Sequence, residues 1–514
     1  MSVVPKRAPA AIITSALLAA TFGGACIRRA SGIPPPRLVL LYATCTLNRG
    51  HLGAYDRAVP YTPGITAFAR GATVFLRHQT ETDQSGPAYA SILSGAQADR
   101  HGVYGHPGRL RDDLYLLAEA FADAGYETHF WSGHPMASAD LNYGQGVRPE
   151  NVHVRRPGAV DIYRLTANDA EFAAILARLR ADPSYRAFVQ VNFTITHSPY
   201  TVVDPRAVAD LRREYPAEWP DLSDADLQRF AHLYTPNYLR LQWDFPAFVR
   251  ERRLSPADVR GLALTLELYY KVSVRLLDHC FARLIETIRA AGLLEESLVA
   301  FTADHGETLY REHTLFKWTH GGELTPDTIE VPLVLRVPGG RAPGTYPGVS
   351  RSIDVYPTLA GLAGVRVPRD RGIQGTDLSP ALLGRAPAPG LRAFSRTSPH
   401  GPDLVAQFRD WHVARFHPST DVGLIWTAVR DGDTYVRRRR EPDGHWRTDA
   451  FDLAGDPGAS RDVFDAASRR HRDLAREVGG YQALLVNRYP EHQREQALHE
   501  TEVRERLRSL GYIQ

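Results

Sequence analysis

Cysteine and lysine are scarce in this sequence of 514 residues, and its opposite charges nearly balance. The three cysteines form no CxxC pair and no zinc-finger spacing, which excludes a disulfide framework. The 61 basic and 58 acidic residues leave a formal charge of +3, so the sequence predicts no nucleic-acid partner. No apolar run reaches the roughly 20 residues that a membrane-spanning helix needs. Because only three lysines occur, Lys317 stands out among the basic residues.

What remains is the composition of an ordinary folded protein. Hydrophobic residues make up 43% of the chain and charged residues 23%, values that exclude disorder, collagen-like repeats and coiled coil. The sequence contains neither an internal repeat nor a low-complexity tract. At roughly 100–200 residues per domain, its length predicts one large and one small domain.

Residues 1–36 have the pattern of a leader and linker. Lys6 and Arg7 precede a weakly apolar stretch, residues 10–22, which ends in Gly-Gly-Ala before Cys26. A charged start, a short apolar stretch and small residues at its end are typical of a secretory signal. We therefore expect an exported protein, periplasmic, cell-surface or secreted. Cys26 resembles a lipid-acceptor cysteine and is a candidate membrane tether; a frayed apolar tail is the alternative.

Continuously apolar runs alternate with helical patterns along the first two thirds of the chain. Such runs are typical of strands buried on both faces of a parallel sheet. The alternation predicts an α/β fold whose doubly wound, mainly parallel sheet is sandwiched by helices. The predicted strands lie at residues 38–42, 187–193, 298–302 and 331–337, and the clearest helices at 114–124 and 266–291.

Composition shifts divide the chain further. We expect a catalytic domain at residues 37–385, with an insertion rich in Pro, Trp, Tyr and Arg at 204–256. Short strands and turn signals predict a smaller C-terminal α+β subdomain with a terminal helix at residues 390–514. The arginine run at 437–440 is expected on a solvated strand face, with an anion-binding patch as the alternative.

Metal-ligand residue types follow three of the predicted strands. Cys45 follows the first, His197 the second, and Asp304 with His305 the third. Ligands of open parallel sheets bind beyond the carboxyl ends of the strands, where these residues would meet. Cysteine, histidine and carboxylate are common metal ligands, so the placement predicts a metal-dependent site. Taken singly, each of them has a structural role as its alternative.

Ser85 is the candidate nucleophile. It stands just ahead of a predicted short helix with Pro87 in the first turn and Gly95 beyond the end. A hydroxyl at a helix N-terminus lies where backbone N–H groups bind phosphate or sulfate oxygens. A metal ion beside it would lower the hydroxyl pKa. The alternative is that Ser85 only caps the helix.

These stretches together resemble the sulfatase and alkaline-phosphatase superfamily, from about residue 38 to about residue 456. The resemblance includes Ser-Gly-Pro-Ala-Tyr at the nucleophile, His-Ser-Pro-Tyr after the second strand and Thr-Ala-Asp-His-Gly-Glu after the third. It implies an alkaline-phosphatase-like fold and an enzyme that acts on an anionic ester. The matching stretches are residues 46–55, 85–95, 100–103, 197–200, 301–307, 320–322, 331–333, 353–358 and 451–457.

The chain departs from the superfamily pattern at three positions. Cys45 stands where the family places its first metal-binding aspartate, and Thr46 stands where many sulfatases have a second. A thiolate favours zinc over calcium or magnesium, so one divalent ion of open identity is expected. Tyr89 replaces the arginine on which conversion to formylglycine depends, so formylglycine is not expected at Ser85.

The resemblance assigns a role to each candidate residue. Ser85 attacks the ester, and Cys45, Asp304 and His305 hold the metal ion. Contacts to the substrate oxygens, or protonation of the leaving oxygen, fall to His197, Lys317 and His320. His101 and His134 are candidate supporting donors, with a purely structural role as the alternative for each.

Three functions are compatible with this pattern. The first is a hydrolase or transferase acting on a phosphate monoester or diester or a sulfate ester, carried by a small molecule, glycan or lipid. The second is a catalytically impaired pseudoenzyme that binds an anionic ligand or glycan. The third is a true sulfatase with an atypical maturation route. The sequence has no pattern that selects the substrate or the oligomeric state.

Overall fold

The computed structural model describes residues 34–154, 169–200, 204–219 and 222–509. The predicted leader, including Cys26, lies outside the described residues except for residues 34–36, so export and lipidation stay predictions. The strands are β1 (Leu38–Thr44), β2 (Thr73–Gln79), β3 (Glu127–Ser132), β4 (Val152–Val154), β5 (Ala187–Phe193), β6 (Ser297–Ala303), β7 (Leu333–Arg336), β8 (Gly344–Arg351), β9 (Arg392–Arg396), β10 (Thr427–Asp431), β11 (Thr434–Arg440) and β12 (Trp446–Asp452).

The helices run between and around these strands. They are α1 (Pro63–Ala69), α2 (Ser85–Ser94), α3 (Ala98–His101), α4 (Leu117–Asp123), α5 (Ala170–Ala181), α6 (Pro205–Glu214), α7 (Asp224–Tyr234), α8 (Tyr238–Trp243), α9 (Phe245–Arg252), α10 (Pro256–Ala290), α11 (Pro326–Ile329), α12 (Ser352–Ala363), α13 (Ser379–Leu382), α14 (Pro402–Gln407) and α15 (Arg469–Ser509). Among the described residues, no helix combines the length and the apolar character needed to cross a membrane.

The large sheet has the strand order β4-β3-β5-β1-β6-β7-β2-β8. Its strands pair in parallel except β7, which runs antiparallel to both neighbours. The predicted mainly parallel sheet is therefore confirmed, and the apolar run at 331–337 contributes its one reversed strand in the described part of the chain. That run could not reveal its direction, because periodicity reports burial and not strand polarity.

Helices cover both faces of the large sheet, as predicted. Side chains of β1 alternate between two hydrophobic cores because successive residues of a strand point to opposite faces. Leu40 packs in the core that contains α10, and Leu41 packs in the core that contains α2 and α12. Both side chains are fully buried. The segment predicted as an insertion is helical and contains α6 to α9; the domain limits stay predictions.

The C-terminal part forms a separate antiparallel sheet with the order β12-β11-β10-β9, and α15 packs against it through Leu474 and Val478. The predicted α+β arrangement is confirmed. The expectation of a solvated strand face is wrong for Arg437, which is buried and forms ion pairs with Glu323 and Asp449. Arg437 therefore ties the small sheet to the loop that follows His320.

Glu81 provides a test of burial in this fold, because desolvation raises the pKa of its carboxyl group to about 8. Between an ordinary carboxyl pKa and about pH 8, Glu81 keeps its proton in the folded protein, whereas the same carboxyl group is ionised in the unfolded chain. Stability is therefore lost as the pH rises toward 8, by up to about 1.4 kcal/mol per pH unit for one group. Glu81→Gln should lose less unfolding free energy between about pH 5 and pH 8 than the wild type, as measured by urea denaturation.

The matched control is Glu171→Gln, which neutralises an exposed carboxylate. It should follow the wild-type pH dependence. Parallel stability curves for Glu81→Gln and the wild type would contradict the raised pKa of Glu81.

Candidate active site

The site lies beyond the carboxyl ends of three neighbouring strands. In the parallel ladder, Thr44 of β1 pairs with Phe193 of β5 on one side and with Ala303 of β6 on the other. Cys45 and Asp304 are the next residues after β1 and β6, so the register places them side by side. The backbone N–H of Cys45 donates to the carbonyl of Phe193 (2.8 Å), which extends the backbone ladder by one residue to Cys45.

Cys45, Asp304 and His305 offer three buried ligand atoms that lie within 4.8 Å of one another. Oδ1 of Asp304 accepts hydrogen bonds from the N–H groups of Thr46 (3.1 Å) and His305 (2.6 Å), whereas its buried Oδ2 has no hydrogen-bond partner. Burial raises the pKa of Asp304 to about 7 and raises that of Cys45 well above its usual value. Two acidic groups buried this way, beside an imidazole, fit a divalent cation that would neutralise them.

Ser85 lies against this cluster. Its Oγ is 3.2 Å from Sγ of Cys45 and 3.0 Å from Nε2 of His305. Ser85 is the first residue of α2, and Gln84 occupies the cap position. The alternative in which Ser85 only caps the helix is therefore wrong, and its hydroxyl faces the cluster at the positive end of the helix dipole.

His305 is oriented by its own loop. Its Nδ1 lies 2.9 Å from the carbonyl of Gly306, an acceptor, so Nδ1 carries the ring proton. The lone pair on Nε2 therefore points toward Ser85, where it accepts from the hydroxyl or binds a metal ion. Fixing the tautomer through the second ring nitrogen is the usual arrangement of metal-binding histidines.

His197 and His320 line the same region. The ring centroid of His320 is 4.3 Å from that of His305 and 5.1 Å from that of His197. Nδ1 of His197 lies 2.6 Å from the carbonyl of Ser198, and Nδ1 of His320 lies 3.3 Å from Oε1 of Glu307. Both rings are therefore held by Nδ1, which leaves Nε2 for a ligand.

Lys317 has its donors engaged elsewhere. Its ammonium group donates to the carbonyls of Arg311 (2.5 Å) and Thr314 and to Oγ1 of Thr314 (3.2 Å). Among the described residues it forms no hydrogen bond to the other predicted site residues. This geometry favours a structural role for Lys317, as a brace of the loop at residues 311–314, over a contact with substrate.

Sequence reasoning gave no role to two site residues and left a third, His134, open. Glu307 is fully buried, and burial raises its pKa to about 8. His106 is partly buried, and its buried Nδ1, which has no hydrogen-bond partner among the described residues, would lie 3.1 Å from a Cβ placed on Gly86, the residue after Ser85. The one available signal was the position of Glu307 two residues after His305; nothing in the sequence indicates that His106 lies beside Ser85.

Gly306 is required by the close approach of two loops behind His305. A Cβ at this position would lie 2.0 Å from the backbone oxygen of Asp327, and the Gly306 N–H donates to the carbonyl of Thr328 (2.7 Å). Gly306→Ala should lower the unfolding free energy by about 1–3 kcal/mol and displace His305, because the backbone of Asp327 cannot move aside as the end of a flexible side chain can. Chemical denaturation and turnover measure the two effects. Gly390→Ala is the control, since its Cβ would meet nothing within 4 Å; equal stability of the two variants would contradict the close approach.

Known proteins resemble the chain over most of its length. The sequence profile of the Sulfatase family matches residues 39–365. The chain is 25% identical to steryl-sulfatase of Mus musculus, covering 86% of this chain and 80% of the relative. It is 29% identical to arylsulfatase A of Homo sapiens, covering 70% of each chain.

Solved structures share the fold. BT4656 in complex with its substrate D-glucosamine-2-N,6-O-disulfate superposes with a TM-score of 0.65 at 16% identity, covering 88% of this chain and 98% of that one. The phosphonate monoester hydrolase SpPMH from Silicibacter pomeroyi superposes with a TM-score of 0.55 at 21% identity, covering 86% and 94%. The profile match spans more than half of the residues, and the fold agrees with it. The chain therefore belongs to the sulfatase family.

Proposed function

We propose that the protein hydrolyses or transfers an anionic ester, with Ser85 as an unmodified hydroxyl nucleophile. The observation that carries this proposal is the position of Ser85 Oγ, 3.0 Å from Nε2 of His305 and 3.2 Å from Sγ of Cys45, at the start of α2. A structural serine needs neither a bare imidazole nitrogen nor a cluster of metal-ligand atoms beside it. Membership of the sulfatase family supports the same chemistry.

Each residue of the site then has a defined task. Cys45, Asp304 and His305 would hold one divalent ion, whose positive charge lowers the hydroxyl pKa and stabilises the developing anion. Ser85 Oγ forms a bond to the phosphorus or sulfur atom as the bond from that atom to the ester oxygen breaks. The serine proton would pass to the bare Nε2 of His197 or His320 and from there to the leaving oxygen, which departs as an alcohol. A ring protonated in this way would also donate to a non-bridging oxygen. Attack by water then releases the acid and restores Ser85.

The substrate class is an anionic ester on a glycan, lipid or small molecule. The relatives named steryl-sulfatase and choline-sulfatase and the complex with a disulfated glucosamine support such a range. The neighbouring phosphonate monoester hydrolase supports a phosphorus ester as well.

Tyr89 supports an unmodified serine at position 85. It stands where conversion to formylglycine depends on an arginine, and it is a buried side chain whose hydroxyl donates to the carbonyl of Ala43 (3.4 Å).

The experiment compares metal content, the mass of the Ser85 peptide and turnover in one preparation. The panel contains p-nitrophenyl sulfate, p-nitrophenyl phosphate, bis(p-nitrophenyl) phosphate and p-nitrophenyl phenylphosphonate, with Ser85→Ala as control. We expect bound metal, an unmodified serine and turnover of at least one phosphorus ester. A mass shift of formylglycine with sulfate turnover would favour the true sulfatase instead. Absence of both metal and turnover would favour the pseudoenzyme.

A further inference from the structure

His134 lies beside the sulfur of Cys45. It belongs to the segment that follows β3, whereas the metal-ligand residues Asp304 and His305 follow β6. It follows β3 after one residue, is 4% exposed, and its Nε2 is 3.4 Å from Sγ. The mechanism proposed above gives it no task. An imidazole at this distance either accepts the thiol proton or donates its own, and the two possibilities have opposite consequences for a metal ion.

The second ring nitrogen decides between them. The backbone N–H of Met136 donates to Nδ1 of His134 (3.1 Å), so Nδ1 carries a lone pair and the ring proton lies on Nε2. Nε2–H therefore points at Sγ as a donor. His305 has the opposite arrangement, with its proton on Nδ1 and its lone pair on Nε2. One histidine is thus prepared as a metal ligand and the other as a hydrogen-bond donor to the sulfur ligand.

A donor to sulfur matters because the thiolate would be buried. Cys45 is fully buried, and a negative charge there needs compensation from hydrogen bonds or a cation. Sulfur is also the ligand that distinguishes soft from hard cations, since magnesium and calcium prefer oxygen. A residue that supports the thiolate should therefore act on zinc binding and leave magnesium binding unchanged.

We propose that His134 is a positioning residue whose Nε2–H donates to the sulfur of Cys45 and so gives the site its preference for zinc over magnesium and calcium. This inference rests on the metal site of the proposed function. It assigns no contact with substrate to His134. It treats Cys45 as a functional metal ligand at the position where the family has an aspartate, and not as a substitution that destroys the metal site.

The test measures metal binding by the full chain after removal of metal with a chelator. Titration with Co²⁺ reports thiolate ligation through a sulfur-to-cobalt charge-transfer band, and competition then gives the Zn²⁺ and Mg²⁺ affinities. His134→Phe removes the N–H and should lower Zn²⁺ affinity by about 10–100-fold and shift the band, with Mg²⁺ affinity unchanged. His134→Gln keeps an N–H donor near the Nε2 position and should recover most of the loss.

His78→Phe is the matched control. His78 is a fully buried histidine with no predicted role in the site; its Nδ1 lies 2.9 Å from Oγ of Ser350 and its Nε2 lies 3.5 Å from Oγ of Ser352. Its replacement should leave the band and the Zn²⁺ affinity unaltered. If His134→Phe does not fold, ¹⁵N-histidine spectra of the wild type decide, because the signal lost in His134→Gln must show a protonated Nε2 and a bare Nδ1.

Several results would overturn the inference. An unchanged Zn²⁺ affinity and band in His134→Phe would remove the donor role, and equal losses of Zn²⁺ and Mg²⁺ affinity would reduce His134 to general packing. Bound cobalt without a charge-transfer band in the wild type would exclude Cys45 as a ligand while leaving the metal centre of the proposed function standing. Failure of the wild type to bind any of these ions would overturn both.

Discussion

Replacing Ser85 by alanine should lower kcat on any substrate by at least about 10³-fold while the protein stays folded. The hydroxyl is the only group that forms a bond to the substrate in the proposed reaction, and removal of a nucleophile costs enzymes several orders of magnitude. The structural cost is small, because Ser85 Oγ forms its hydrogen bonds to His305 and Cys45, and such bonds contribute about 1 kcal/mol each. Steady-state turnover and thermal unfolding of the purified variant measure both effects.

Ser91→Ala supplies a closely matched control. Ser91 lies on the same helix, is 1% exposed, and its Oγ contacts Nε2 of a histidine, His101, at 3.2 Å. Its replacement removes an equivalent serine–histidine contact away from the metal-ligand cluster, so turnover should stay within a few-fold of the wild type. Comparable activity of Ser85→Ala and Ser91→Ala would sink the role of Ser85 as nucleophile.

Much of the fold was predictable because burial of a parallel strand is recorded in consecutive residues. The runs at 187–193 and 298–302 correspond to β5 and β6, and the residues directly after β1 and β6 are those that form the metal-ligand cluster. Once these strands pair in parallel, the positions of Cys45 and Asp304 follow from the sheet. The metal-ligand cluster could therefore be predicted from the sequence once these strands were taken to pair in parallel.

The rest of the site depends on contacts between segments that no local pattern connects. His134 reaches Cys45 across 89 residues of sequence, and its role depends on a backbone donor, Met136 N–H, that a sequence does not display. Lys317 shows the converse limit, because its rarity in the composition singled it out, whereas its hydrogen bonds to its own loop could be seen only in the structure; its role at the site stays a prediction. Arg437 was predicted to lie on a solvated strand face because its partners, Glu323 and Asp449, belong to other segments and form no local pattern with it.

Neutralising Asp304 should abolish metal binding without dismantling the loop that carries it. Asp304→Asn keeps an oxygen in the place of Oδ1, which accepts from the N–H groups of Thr46 and His305, and removes only the negative charge. The carboxylate is one of two acidic ligands in the Cys45–Asp304–His305 cluster. Its loss should lower the affinity for a divalent ion by at least about 100-fold, more than loss of a supporting residue costs. Elemental analysis should fall from nearly one equivalent to less than about one tenth, with turnover falling in parallel.

Asp278→Asn separates the effect of charge from the effect of burial. Asp278 is 1% exposed and accepts from two backbone N–H groups, those of Gly64 (3.0 Å) and Ile65 (2.7 Å), as Asp304 does. Burial raises the pKa of its carboxyl group as well, to about 6. The two variants therefore remove equivalent buried carboxyl groups, one inside the ligand cluster and one beside α1. Metal content that survives in Asp304→Asn, or that disappears equally in Asp278→Asn, would contradict the assignment, because of these two carboxyl groups Asp304 is the one with a buried oxygen left without a hydrogen-bond partner for the ion to use.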